Sequence, residues 1–197
     1  ELGGQTLDNG QHILLGAYAQ TLALITRFHR ETDVLWRLPL ALEQPPEFRL
    51  TCPRLPAPLH LAAGLAGARG LRLSEKLAAA RWVHALLRDG SETPDMTVGS
   101  LTRDQPEAVN RLLWHPLCIS ALNTPPEQAS GRVFRNVLRA AFGGRTNDSD
   151  LVLPRRDLTA LFPDPAAARV AERGGTVHLG CRVRALDASE HAITLTT

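Results

Sequence analysis

Five polar residues near the start of the chain, Asp8-Asn9-Gly10-Gln11-His12, stand directly ahead of the apolar run Ile13-Leu14-Leu15. Two readings of this cluster are open. Asn-Gly is a frequent turn pair, so an Asx bond within a tight turn accounts for it. Alternatively, Gly10 lets backbone approach a planar ligand while Gln11 and His12 offer it hydrogen bonds. A second concentration is Trp114-His115-Pro116-Leu117-Cys118, followed by Ala121-Leu122-Asn123-Thr124-Pro125. It combines an aromatic ring, a helix-kinking proline and a cap, which a kinked core helix explains. His115 and Cys118 can share a helix face, but tetrahedral zinc needs four donors, or three plus water, so no metal site is expected. No G-x-S-x-G elbow occurs, and Cys118 with His115 lacks an orienting third group, so hydrolase chemistry has little support.

Dinucleotide binding needs G-x-G-x-x-G between a strand and a helix, so that backbone amides can approach the pyrophosphate. Gly64, Gly67 and Gly70 have the spacing G-x-x-G-x-x-G and fall inside or at the end of an expected helix. They read as close helix packing plus a C-cap. Cys52, Cys118 and Cys181 form no C-x-x-C pair, and an odd count without a framework points to a reducing compartment.

The elements that must position these residues follow from periodicity and punctuation. Gln11 to Leu15 reads as a short buried strand and Ala17 to His29 as a helix. Pro39 to Leu42 and Phe48 to Cys52 flank Pro45-Pro46 and suggest a small antiparallel pair. Helices are expected from Pro58, from Ser74 as N-cap with a stripe of Leu77, Ala80, Val83 and Leu87 up to Gly90, and from Pro106, kinked or broken at Pro116. Thr97 to Leu101 is a short helix at best. Thr124-Pro125-Pro126-Glu127 has the form of a capping box, starting a helix whose stripe is Val133, Val137 and Ala140 and which ends at Gly143-Gly144. A loop from Arg145 to Asp150 leads to the strand Leu151 to Leu153, and Ala166 to Arg173 is a last helix. Thr176 to Leu179, Cys181 to Leu186 and Ala192 to Thr197 read as strands, the last two joined near Asp187-Ala188-Ser189.

Composition sets outer bounds. The 197 residues suffice for a real core, with 44% apolar and 21% charged residues. A net charge of +2 is too small to argue for nucleic acid or an anionic membrane. No apolar stretch approaches the roughly 20 residues of a membrane span, and no signal-peptide pattern is present. The chain opens on Glu1 rather than Met, so the expectation is a piece cut from something longer.

In order along the chain, four segments resemble one family. Leu7 to Leu15 with Gly16-Ala17-Tyr18 resembles the "LDNGQH…GAY" signature of the squalene-associated FAD-dependent desaturases, understood as hydroxysqualene dehydroxylases of bacterial hopanoid synthesis. Arg54 to Leu61 is similar to the family's "RLPAPLHL" run. Leu113 to Cys118 with Ala121 to Pro125 resembles its "LW.PLC..ALNTP" helix. Ser149 to Pro154, with Asp157-Leu158 and Leu161 to Ala166, resembles its "SDL.LP…DL..LFPDPA" stretch.

The resemblance implies an α+β fold: a mainly helical substrate-domain fragment flanked by short β segments of a truncated FAD-binding, amine-oxidase-like fold. Residues 1–16 would be a flavin-proximal β segment. Residues 17–173 would be a mainly helical substrate-binding domain with a small β pair near 39–52, and residues 174–197 would re-enter the FAD-binding domain. The cofactor implied is FAD, contacted by Asn9, Gly10 and Gln11 near the isoalloxazine and by the Val183 backbone towards the adenine. His12 and Asp8 become the acid and positioning candidates. The implied reaction is reductive dehydroxylation of hydroxysqualene to squalene, with a C30 isoprenoid partner. Open alternatives are a phytoene- or squalene-type desaturase and a non-catalytic isoprenoid-binding module. The parent is expected in the cytoplasm, peripheral to the inner membrane face. The piece itself is expected to be inactive, to hold little FAD and to self-associate through exposed apolar surface.

Overall fold

The computed structural model describes residues 13–88, 95–190 and 192–197. Asp8, Asn9, Gly10, Gln11 and His12 therefore lie outside the described residues, as does Gly90. The described chain is mixed α and β with small sheets and falls into two compact units that divide after Arg155.

The first unit opens with β1 (Leu14–Leu15), α1 (Ala19–Ile25) and α2 (Glu31–Val34), which runs into β2 (Leu35–Leu38). The antiparallel hairpin β3 (Ala41–Gln44) and β4 (Phe48–Thr51) follows, turning at Pro45-Pro46. Inward Phe48 and Leu50 alternate with exposed Arg49 and Thr51, the period-2 pattern of a half-buried sheet. Helices α3 (Leu59–Gly67) and α4 (Leu73–Arg88) come next, with Pro58 as the N-cap of α3. Gly70 joins them with φ +91, where a Cβ would lie 2.1 Å from the Glu47 carbonyl oxygen, so only glycine fits.

Three expectations for the middle of the chain need correction. Helix α4 begins at Leu73, one residue ahead of the expected cap Ser74, and the Arg72 amide is capped by the Glu75 carboxylate at 2.6 Å. Its buried stripe is Ala79, Val83 and Leu86, while Leu77 is exposed. Of the kink or break expected at Pro116, the break does not occur. After α5 (Val98–Thr102), whose N-cap Thr97 accepts from the Ser100 amide at 3.2 Å, α6 (Glu107–Val109) passes through a π-helical turn at Asn110–Trp114 into α7 (His115–Leu122). The widened turn accommodates a residue that has no N–H to give. Thr124 starts no helix: α8 (Gly131–Phe142) begins after Ser130, whose hydroxyl accepts from the Val133 amide at 3.1 Å. Backbone bonds from Val98 to Ala129 and from Gly99 to Pro126 hold residues 126–130 against the start of α5, overriding the local capping box. The helix is thereby rotated so that Phe134, Leu138, Ala141 and Phe142 are buried, leaving Val133 and Ala140 exposed.

A 3₁₀ turn at Thr146–Ser149 leads to β5 (Leu151–Pro154), the centre of a three-stranded antiparallel sheet of order β1-β5-β2. Leu15 faces Leu151 and Leu38 faces Leu151 from the other side, with Val152 fully buried. The core joins β3–β4 to helices α3 to α8, with Trp114, Phe134, Leu112 and Leu113 among its largest buried side chains.

The second unit contains α9 (Leu158–Leu161), capped by Asp157 at 2.9 Å to the Ala160 amide, and α10 (Pro163–Glu172). A hairpin of β6 (Ala185–Ala188) and β7 (Ile193–Thr196) completes it. The expected strand Thr176 to Leu179 is irregular, and the one expected from Cys181 starts at Ala185, since a strand exists only where a partner accepts its bonds. The turn also moves: Asp187 and Ala188 are paired, and Ser189 closes onto the Ala192 carbonyl at 2.9 Å. Cross-strand pairing puts Leu186, Ala188, Ile193 and Leu195 on one face, all exposed.

Candidate functional site

The first unit holds a partly open cavity of about 760 Å³, within the roughly 300–1,000 Å³ of small-molecule sites. Its walls come from five places in the sequence. Ile13, Leu15 and Tyr18 enter from around β1, and Leu40, Ala41 and Leu42 from β3. Leu117, Ala121 and Asn123 come from α7 and its end, Phe134 and Phe142 from α8, and Ser149 and Leu151 from the entry to β5. The lining is mainly aliphatic and aromatic, with a few polar groups at Ser120, Asn123 and Ser149.

The turn after β1 docks tightly on the approach to β5. Gly16 and Ala17 donate their amides to the Asp150 and Asp148 carbonyls at 2.9 and 2.8 Å. A Cβ on Gly16 would lie 1.7 Å from the Asn147 carbonyl oxygen, so any side chain there would push β1 off the wall.

Against this wall stand two polar groups that the sequence reading did not single out. His60, near the start of α3, is 1% exposed, and its ring nitrogens make no hydrogen bond of ordinary geometry, although the Pro56 carbonyl lies close enough to favour the protonated ring. Its ring lies 6.2 Å from that of Phe142, a lining residue. Asp150, next to the lining residue Ser149, is 4% exposed with Oδ2 unbonded. Arg37 Nη1 is 3.9 Å from that oxygen, but the same guanidinium is bound through Nε by Glu31 and reaches the Asn147 carbonyl at 3.4 Å. Burial raises the Asp150 pKa, against the opposing pull of Arg54, Arg37 and His60. Burial likewise lowers that of His60, outweighing the Pro56 carbonyl and the Asp150 carboxylate. The favoured forms are therefore a neutral imidazole and a carboxyl that holds its proton more tightly than usual. Their sequence signal was a histidine inside an apolar helix and an aspartate heading an apolar strand.

A pH effect on stability follows. With a folded pKa below 6.5, the unfolded chain takes up the His60 proton first as pH falls. The stabilising contribution is complete above 6.5 and is lost as pH falls from that value through the lower folded pKa. His60→Gln should therefore gain on the wild type in melting temperature between about pH 8 and about pH 5. Asp150, whose raised pKa acts in the opposite sense, is coupled to His60, so the variant-minus-wild-type difference reports the pair. A pH-independent difference would contradict the assignment.

The other sequence candidates are placed as follows. Val183 lies in the second unit, half-exposed in the irregular run ahead of β6 rather than within a strand. Cys118 is fully buried, its thiol directed to the Thr124 carbonyl at 3.6 Å and pushed up in pKa by burial and then by Glu127. Burial pushes the Cys52 thiol up to about 11. Neither is an activated nucleophile. Among the described residues no group of three or more His, Cys, Asp or Glu is placed to hold a metal ion, and no helix is long and apolar enough to cross a membrane.

Gly64 and Gly70 do not form the pyrophosphate cradle of a flavin dinucleotide. Gly64 lies within α3, where a Cβ would sit 2.8 Å from Cys52 Sγ, and Gly70 faces the Glu47 carbonyl. These glycines serve packing between helix and hairpin, not a pyrophosphate cradle. A scan against protein-family models and a search of curated proteins found no match to this chain.

Proposed function

We propose that the chain is the isoprenoid-binding portion of an FAD-dependent oxidoreductase acting on a C30 substrate, by reductive dehydroxylation of hydroxysqualene to squalene in hopanoid biosynthesis. One observation carries this reading: the segments resembling the squalene-associated family, far apart in sequence, converge on one apolar cavity. Ile13, Leu15 and Tyr18 belong to the first segment, Leu117, Ala121 and Asn123 to the third, and Ser149 and Leu151 to the fourth. His60, from the second, packs on Phe142 of the wall. A partly open cavity walled mainly by apolar side chains suits a hydrocarbon ligand.

In this reading flavin binding falls to other parts of a longer parent, and the alternative is a non-catalytic isoprenoid-binding module. Flavin content separates the two. The full gene product should purify with stoichiometric FAD, while the 197-residue chain should show little or no flavin by visible absorbance after dialysis against FAD. A colourless gene product would favour the second reading, and stoichiometric FAD in the 197-residue chain would overturn the division of labour. The uncovered apolar face of the β6–β7 hairpin supports self-association, because a two-stranded hairpin alone is marginal in water.

A further inference from the structure

We propose that the face around the start of α4 is a docking surface for an anionic phospholipid bilayer, an inference that stands whatever the cavity holds. The whole-chain balance of +2 conceals a segregation of charge. Residues 48–88 carry seven of the 22 Lys and Arg but only one of the 20 Asp and Glu, Glu75, which leaves the rest of the chain net acidic. Four of those cations come together. Backbone bonds of 2.8 and 3.3 Å set Arg69, in the connection from α3 to α4, directly opposite Arg49 of β4. Arg72 stands just ahead of α4 and Lys76 in its first turn. The neighbouring carboxylates are engaged: Glu43 with Arg49 at 2.9 Å, Glu47 with Arg111, and Glu75 with the Arg72 amide. Among the described residues Arg69 and Arg72 form no ion pair. Like charges set opposite each other across a bridge repel, and an anionic surface offsets that repulsion.

Exposed leucines stand among these cations. Leu73 is 74% exposed, and Leu77, one turn along the same side of α4, is 49% exposed. Neither belongs to the buried stripe of Ala79, Val83 and Leu86. Single exposed leucines need no explanation. Two on one helix face, flanked by Arg69, Arg72 and Lys76, have the make-up of an interfacial contact: the leucines enter the headgroup boundary while the cations meet anionic lipid. The aliphatic stems of Arg and Lys extend the apolar surface while their charges reach the phosphates. Nucleic acid would use the charge and leave both leucines in water. No helix among the described residues is long and apolar enough to cross a membrane, so the contact proposed here lies on the surface.

Flotation of the 197-residue chain with lipid vesicles tests the inference. Vesicles of phosphatidylcholine with about 30% phosphatidylglycerol should bind the chain at least about tenfold more tightly than phosphatidylcholine alone. That preference should fade between about 0.1 and about 0.5 M salt. Arg69→Gln combined with Arg72→Gln should weaken binding to the anionic vesicles about tenfold or more, each basic residue near such a surface contributing about fivefold. Leu73→Ser combined with Leu77→Ser should weaken it by a similar factor, about tenfold. All four positions are exposed, so the melting temperatures should match that of the unsubstituted chain. Arg182→Gln combined with Arg184→Gln, exposed in the second unit, should leave vesicle binding unchanged. Equal affinity for the two vesicles, or full affinity in either the Arg69/Arg72 or the Leu73/Leu77 variant, would overturn the inference. Full affinity in the leucine variant together with tight binding of single-stranded RNA would overturn it in favour of a nucleic-acid surface.

Discussion

Replacing Trp114 with alanine should lower the unfolding free energy by about 3–5 kcal/mol, the usual range for deleting a large aromatic from a packed core. Trp114 is fully buried in the π-helical turn, its ring 4.8 Å from that of Trp82 in a tilted pair, and its Nε1 donates to Gln105 Oε1 at 3.4 Å. The substitution removes hydrophobic burial, an aromatic contact and a polar anchor, at the place where α4 meets the α6–α7 rod. For a domain with about 5–15 kcal/mol of stability, that leaves little margin at growth temperature. Trp82→Ala should cost less, because Trp82 is only half-buried. Urea unfolding of both variants checks the order. A Trp114 loss below about 1 kcal/mol would mean that the π turn is not the keystone of this core.

A second large effect is expected at the cavity. Ala121 projects from α7 into the lining and is only partly buried, so tryptophan there has room to occupy the void without displacing the core beneath. Ala121→Trp should reduce squalene binding by the 197-residue chain at least tenfold, the equivalent of about 1.4 kcal/mol. Its melting temperature should stay close to that of the parent, since cavities tolerate filling better than packed cores tolerate insertion. Unchanged squalene affinity would place the hydrocarbon site elsewhere, whereas a collapse in stability would show the void to be narrower than its volume suggests.

Local signals were legible where local chemistry decided the outcome. The Pro45-Pro46 turn joins β3 to β4, and Gly143 ends α8, each as its residue type implies. Local signals misled where tertiary contacts competed. Thr124 and Glu127 have the spacing of a capping box, yet backbone bonds between 126–129 and 98–99 claim that segment, and the helix waits for Ser130. Pro116 reads as a kink or a break, and periodicity cannot foresee that the chain stays helical through a π turn. The stripes of α4 and α8 came out rotated because side chains such as Leu77 and Val133 are apolar but face outwards.

The site was harder to read than the fold. A cavity lining and a core have the same apolar pattern, and the lining here comes from segments as distant as Ile13 and Leu151. Only the family resemblance tied those segments together in advance. His60 and Asp150 were invisible for a different reason. A histidine between Leu59 and Leu61 and an aspartate ahead of Leu151 acquire meaning only when their burial is known.

The central claim is that this chain shapes the isoprenoid site of a flavin-dependent dehydroxylase. Anaerobic incubation of the reduced full gene product with hydroxysqualene, followed by product analysis, tests it most directly. The account predicts squalene, at a rate that falls sharply in the Ala121→Trp variant. Unchanged hydroxysqualene, or new double bonds in squalene or phytoene supplied instead, would contradict it.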